Sequence, residues 1–97
     1  MSGISVELLD AHRFRVRVRE GESETEHEVR APAEQVRRYG AGADAERLVE
    51  ASFAFLLERE PASAILSRFE LSVIERYFPE YPRVIRARLG GGPGGAG

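Results

Sequence analysis

Two histidines, His12 and His27, are the side chains in this sequence best suited to acid–base or metal chemistry. Imidazoles as a class change charge near neutral pH, so both are candidates for a general base or a metal ligand. Neither has a second histidine or a cysteine at ligand spacing. Hydrolase, metalloprotease and nucleotide-binding motifs do not occur. We therefore predict structural roles for both histidines and a protein that is not an enzyme, with no catalytic residue, metal ion or cofactor.

The arginines offer a different chemistry, the binding of phosphate groups. All 14 cationic residues are arginine, and four of them alternate with apolar residues in Arg13–Arg19. Glutamates alternate with Ser, Thr and His in Glu22–Glu28, and the net charge is −2. Carboxylates opposite the arginines would cancel the positive field that a nucleic acid needs. We therefore interpret the alternating charges as a solvated ladder of ion pairs.

Three antiparallel strands must position these charges, because strict alternation is typical of strands with one buried face. The strands are predicted over residues 3–9, 13–20 and 23–30, with Asp10–His12 and Gly21–Glu22 as loops. Glycine in the first loop position suits a type II′ turn. One register then aligns both the apolar residues and the charges. In the first hairpin it pairs Ile4 with Val18, Val6 with Val16, Glu7 with Arg15 and Leu8 with Phe14. In the second it pairs Phe14 with Val29, Arg15 with Glu28, Val16 with His27, Arg17 with Glu26, Val18 with Thr25 and Arg19 with Glu24.

The remainder of the chain has helical periodicity interrupted by turns. Short helices are predicted over residues 32–39 and 82–89. A longer helix with a wide apolar face is predicted over residues 45–59, with Asp44 as its N-cap. Ser67–Glu70 has the spacing of a capping box and predicts a helix over residues 68–78. Leu66 and Leu71 would form the hydrophobic staple of that helix.

These elements predict one α+β domain over residues 1–89. Three to four C-terminal helices would cover the single apolar face of a three-stranded antiparallel meander of order 1-2-3. Residues 90–97 contain only Gly, Pro and Ala and are predicted to be a disordered tail. The sequence has no cysteine and no pattern of a signal peptide or membrane span. We therefore expect a cytoplasmic protein with no membrane partner.

Two hypotheses for function follow. The first is a small non-catalytic protein-interaction or regulatory module, which binds another protein or a second copy of itself as a homodimer. The aromatic and proline-rich segment Tyr77–Pro82 favours it, because rigid aromatics are good binding anchors. The alternative is a nucleic-acid-binding regulator with an imperfect helix-turn-helix at 61–78 and an Arg-rich segment at 83–88. The candidate partner-binding residues are Arg76, Tyr77, Tyr81, Arg83, Arg86 and Arg88.

Overall fold

The computed structural model describes residues 2–90, which fold into one four-stranded sheet and four α-helices. The strands are β1 (Ser2–Asp10), β2 (Arg13–Glu20), β3 (Ser23–Arg30) and β4 (Arg68–Glu70). The helices are α1 (Ala33–Gly40), α2 (Ala45–Leu57), α3 (Leu71–Tyr77) and α4 (Tyr81–Leu89), and a short 3-10 turn occupies Ala62–Ala64. The predicted α+β class is confirmed. The prediction of a disordered tail concerns residues 91–97, which lie outside those described.

The register predicted for the two hairpins is confirmed at every pair. Gly21 has a φ of 61°, which the tight connection between β2 and β3 requires and which glycine adopts without strain. The first loop is shorter than predicted, because Asp10 pairs with Arg13 after an irregularity that follows Leu8. The Asp10 carboxylate accepts the backbone N–H groups of His12 and Arg13 at 3.1 Å, so it stabilises this turn.

The ion pairs on the exposed face follow the register only in part. Arg17 bonds Glu26 directly opposite at 3.1 Å, and Arg15 bonds Glu7 at 3.2 Å. The second partner of Arg15 is Glu26 at 3.6 Å instead of Glu28, which bonds Arg13. Long side chains reach diagonal neighbours as easily as direct ones. Exposed ion pairs of this kind are screened by water and add little to stability, so the ladder specifies the register more than it stabilises the sheet.

The fourth strand corrects the prediction for residues 66–71. β4 pairs in parallel with β3, where the predicted helix over 68–78 should have begun, so Ser67–Glu70 is not a capping box. Phe69 lies between two charged residues, and this alternation lets it enter the core while Arg68 and Glu70 stay on the charged face. The Glu28 N–H donates to the Ser67 carbonyl at 2.8 Å. The outer backbone groups of β3 therefore take a strand partner, and α3 begins only at Leu71.

The helices cover the apolar face of the sheet, as the sequence predicts. α2 packs against β1 and β2, and α1 and α4 pack against α2. The Asp44 side chain accepts the Arg47 N–H at 2.8 Å, which confirms Asp44 as the N-cap of α2. Aromatic side chains form much of the interior between these layers; those fully buried are Tyr39, Phe53, Phe55 and Tyr81. None of the helices in residues 2–90 is both long and apolar enough to cross a membrane.

Candidate functional site

Residues 61–78 do not form the predicted helix-turn-helix. Their first part is a single 3-10 turn at Ala62–Ala64, their middle is β4, and only α3, with seven residues, is an α-helix. A recognition helix must be presented by a preceding helix and a turn. Here the element before α3 is β4, a strand of the sheet, so the geometry of that motif is absent from this segment.

Tyr81 is the predicted partner-binding residue that the structure places differently. It is 0 % exposed, and its ring lies 5.0 Å from that of Tyr39 and 5.3 Å from that of Phe55. Its hydroxyl lies 2.7 Å from Ser52 Oγ, which donates its own proton to the Leu48 carbonyl, so Tyr81 donates to Ser52. Burial raises the pKa of Tyr81. Tyr81 is therefore a core residue with no exposed surface in this fold.

The four predicted arginines are exposed, and two of them bond groups of the same chain. Arg88 bonds Glu58 at 2.6 Å, and the Arg86 Nε donates to the Arg38 carbonyl at 2.7 Å. Arg83 shares a face of α4 with Arg86, and Arg76 lies on α3. Two of the four cations are thus already engaged in contacts within the fold.

Tyr77 is the predicted residue that lies beside a concave surface. It is 65 % exposed and lines an apolar groove of about 330 Å³ between the end of α2, the segment after the 3-10 turn, and α3. The buried side chains of the groove are Leu56, Ile65, Phe69 and Ile74. Leu66, 47 % exposed, lines it together with Tyr77. The sequence predicts Leu66 in a hydrophobic staple and places Phe69 and Ile74 within the helix predicted over residues 68–78. Their apolar character was the only local signal of a groove.

A single charge borders this groove. Glu60 is the one ionisable carboxylate among its lining residues. The carboxylates nearby are neutralised, because Glu58 bonds Arg88 and Glu80 bonds Arg59. Glu60 has no ion-pair partner among the residues that the structure describes. The groove therefore combines apolar walls with one uncompensated negative charge.

The buried side chain of His27 bonds the backbone of Leu66, which lines one wall of the groove. The ring is 3 % exposed, and its Nδ1 lies 2.8 Å from the Leu66 carbonyl, which can only accept, so Nδ1 carries a proton. Nε2 lies 2.8 Å from Thr25 Oγ1, and the ring packs 5.3 Å from Phe53. The histidine that sequence analysis considered as a base is thus a link between β3 and the backbone of Leu66.

His12, the other candidate, is exposed in the first loop. Within residues 2–90 no three histidine or acidic side chains approach closely enough to hold a metal ion. The structure therefore brings neither histidine into a cluster of metal-ligating groups.

Two buried tyrosines, Tyr39 and Tyr81, form hydrogen bonds between helices, and their raised pKa values make stability depend on pH in the alkaline range. The Tyr39 hydroxyl donates to Glu75 of α3 at 2.8 Å. Burial, and then the negative charge of Glu75, raise the pKa of Tyr39 from 10.0 to about 12. The unfolded chain releases this proton at the lower pH. The free energy of unfolding should therefore fall as pH rises from about 10 to about 12. Below that range the contribution of Tyr39 is fully present and does not change with pH.

Urea denaturation at several alkaline pH values measures this dependence. Tyr39→Phe is the matched control, since it keeps the ring but removes the titrating hydroxyl. Its stability should fall less steeply across the same pH range, because Tyr81 is then the remaining tyrosine with a raised pKa. An equally steep fall in wild type and Tyr39→Phe would contradict the assignment.

Comparison with known proteins adds no constraint: no family model, curated protein or solved structure matches this chain. The function must therefore be inferred from the geometry of the described residues alone.

Proposed function

We propose that this protein is a non-catalytic protein-interaction module that binds a short apolar segment of another protein in the groove between β4 and α3. One observation supports this most directly. The described residues contain three large apolar side chains that are strongly exposed, and two of them, Leu66 and Tyr77, line the same groove. Exposed apolar side chains that cluster beside a concave surface are typical of protein-binding sites.

The groove also indicates the chemistry of the partner. Its volume of about 330 Å³ is at the lower end of the range of about 300–1,000 Å³ for binding pockets, so it suits a few large side chains. Tyr77 offers a rigid aromatic anchor with a polar tip. The uncompensated charge of Glu60 favours a cation at the edge of the segment. The proposed partner segment therefore carries large apolar residues next to a lysine or arginine.

The C-terminal segment of the chain itself does not have this chemistry. Residues 91–97 are only Gly, Pro and Ala, and they include no large apolar side chain and no cation. The occupant we propose is therefore a different polypeptide. The cytoplasmic location expected from the sequence remains part of this proposal.

A peptide library displayed on phage and selected against the full chain tests the proposal. We expect the selected peptides to share two or more large apolar residues with an adjacent lysine or arginine. Leu66→Ser and Tyr77→Ala should each weaken binding of a selected peptide by about 30-fold, since truncation of a central anchor costs ~2 kcal/mol or more. Glu60→Lys should reduce the affinity for peptides with a cation.

Leu8→Ser is the matched control for these variants. Leu8 is 60 % exposed, similar to Leu66 and Tyr77, but it lies on β1 at the other edge of the sheet. The control should leave the peptide affinity unchanged. Peptides without an apolar pattern, or equal losses in the control and the groove variants, would refute the proposal. The proposal would also be refuted if the selection yielded no peptide and the groove bound only small apolar compounds.

Nucleic-acid binding is the alternative hypothesis, and it has less support. It relied on a helix-turn-helix at 61–78, where the described chain has a strand, and on Arg83, Arg86 and Arg88 as phosphate contacts. Arg88 is paired with Glu58, so fewer cations remain for phosphate. Useful affinity for nucleic acid requires several neutralising contacts. A salt-sensitive gel shift that charge reversal of these arginines abolishes would favour this alternative.

A further inference from the structure

β1 is a long edge strand without the usual protection. The sheet has the order β1-β2-β3-β4, so its two edges are β4 with three residues and β1 with nine. Natural edge strands are commonly short or bulged, or carry proline, lysine or unpaired charges that prevent association. The irregularity of β1 follows Leu8, so residues 2–8 remain a regular strand. β1 has no proline and no cation, and its acids Glu7 and Asp10 are already bonded to Arg15 and Arg13 of β2. Its outer edge is therefore open to another strand.

The hydrogen bonds across the sheet identify the backbone groups on that edge. The Glu28 N–H points to β4, so the backbone N–H and C=O groups of its neighbours His27 and Val29 point to β2. Alternation across the established pairs then directs the backbone groups of Arg15 and Arg17 in β2 towards β1, where they face those of Glu7 and Ser5. The N–H and C=O groups that face outward belong to the alternate residues Ile4, Val6 and Leu8. Within residues 2–90 no backbone hydrogen bond outside the β1–β2 ladder involves these three residues.

The side chains of these same residues form an apolar row. Ile4 and Val6 are half-buried against the core, and Leu8 is 60 % exposed. Ser5 and Glu7 lie between them and face the charged side of the sheet. A strand that pairs with β1 would therefore meet apolar residues on one face and polar residues on the other.

We propose that β1 is a homodimer interface, in which two copies of the chain join their β1 strands antiparallel and extend the sheet continuously. Ile4 then lies opposite Leu8 of the second copy, and Val6 lies opposite Val6 of the second copy. Each such pair exchanges both of its outward-facing backbone hydrogen bonds. The twofold axis is perpendicular to the sheet, so the helices of both copies cover the same face.

Charge selects this register over its neighbours. It places Ser5 opposite Glu7 of the second copy, so the carboxylates do not face each other. A shift of two residues in one direction places Glu7 opposite Glu7 of the second copy, and like charges directly opposite each other are destabilising. The shift in the other direction leaves Leu8 opposite Ser2, outside the apolar row. A shift of one residue would lose both the hydrogen bonds and the apolar face.

This interface is independent of the groove, which lies at the opposite edge of the sheet. Sedimentation equilibrium of the full chain should give twice the monomer mass of 10.8 kDa at high concentration. Val6→Pro should give the monomer mass, because the Val6 N–H faces outward and its loss removes no bond to β2. A wild-type mass equal to the monomer, or a Val6→Pro variant that is folded by circular dichroism and still dimeric, would overturn the proposal.

Charge variants at Ser5 test the register and do not depend on the folding of the proline variant. Ser5→Glu places a carboxylate opposite Glu7 of the second copy at two symmetric positions, and should weaken dimerisation by about 3- to 10-fold. Ser5→Lys should strengthen it by a similar factor. Stability of the monomer should change in the opposite sense, since Ser5 lies opposite Arg17 within the chain.

Equal effects of the two Ser5 variants on dimerisation would overturn the register. Removal of residues 91–97 and the groove variant Leu66→Ser should both leave the protein dimeric. Loss of the dimer in either would place the interface elsewhere and overturn the assignment to β1. Failure of peptide binding in the groove, in contrast, would leave these masses as expected, so the two proposals fail separately.

Discussion

An alanine in place of Phe53 is expected to lower the free energy of unfolding by about 3–5 kcal/mol, the usual cost of removing a buried aromatic side chain. Phe53 on α2 is fully buried, and its ring lies 5.3 Å from His27 and 5.9 Å from Phe69. It therefore packs against two strands, β3 and β4, that the chain itself joins only through a long connection. Truncation would leave a cavity and remove the contact of α2 with both β3 and β4.

Chemical denaturation of wild type and variant measures this loss. Domains have total stabilities of about 5–15 kcal/mol, and small ones tend towards marginal stability, so much of the variant should be unfolded in mild denaturant. Phe53→Leu is the matched control, because it keeps most of the volume and should lose less. A loss below ~1 kcal/mol for the alanine variant would contradict the packing of α2 on β4.

The meander was predictable from sequence because its pairs are close in the chain. Alternation of Val16, Arg17 and Val18 fixes the faces, and the two-residue loop at Gly21 fixes the alignment. β4 was not predictable in this way. Its partner Val29 is distant in sequence from Phe69, and three residues are too few to show a period. The local pattern at Ser67 matched a capping box, but the unpaired edge of β3 outweighed that local preference.

The groove required the same non-local information. Tyr77 was predicted as a binding residue from its setting among prolines and aromatics, and so was Tyr81. They differ in structure because Tyr81 begins α4 and packs against α1 and α2, whereas Tyr77 ends α3 at the surface. Helical periodicity alone does not decide which of two close aromatics is buried. Leu66 became a groove residue only because β4 replaced the first turns of a helix.

An alanine in place of His27 is expected to act on both stability and the groove. The ring fills space beside Phe53, and its Nδ1–H donates to the Leu66 carbonyl. Loss of the packing and of this bond should together lower the free energy of unfolding by about 2–4 kcal/mol. The segment around Leu66 should also exchange its amide hydrogens faster, because its link to β3 is lost. Peptide affinity in the groove should fall even under conditions where the variant is fully folded.

Thr25→Val separates the two contributions of His27. This variant removes the hydroxyl that bonds Nε2 but keeps the ring, its packing and the bond from Nδ1 to Leu66. It should lower the free energy of unfolding by about 1–3 kcal/mol, because Nε2 is left buried without a partner, and leave amide exchange around Leu66 unchanged. If Thr25→Val accelerated that exchange as much as His27→Ala, the Nδ1 bond would not be what positions the groove wall. If only His27→Ala did so, the buried side chain of His27 would control peptide binding through the position of the exposed Leu66.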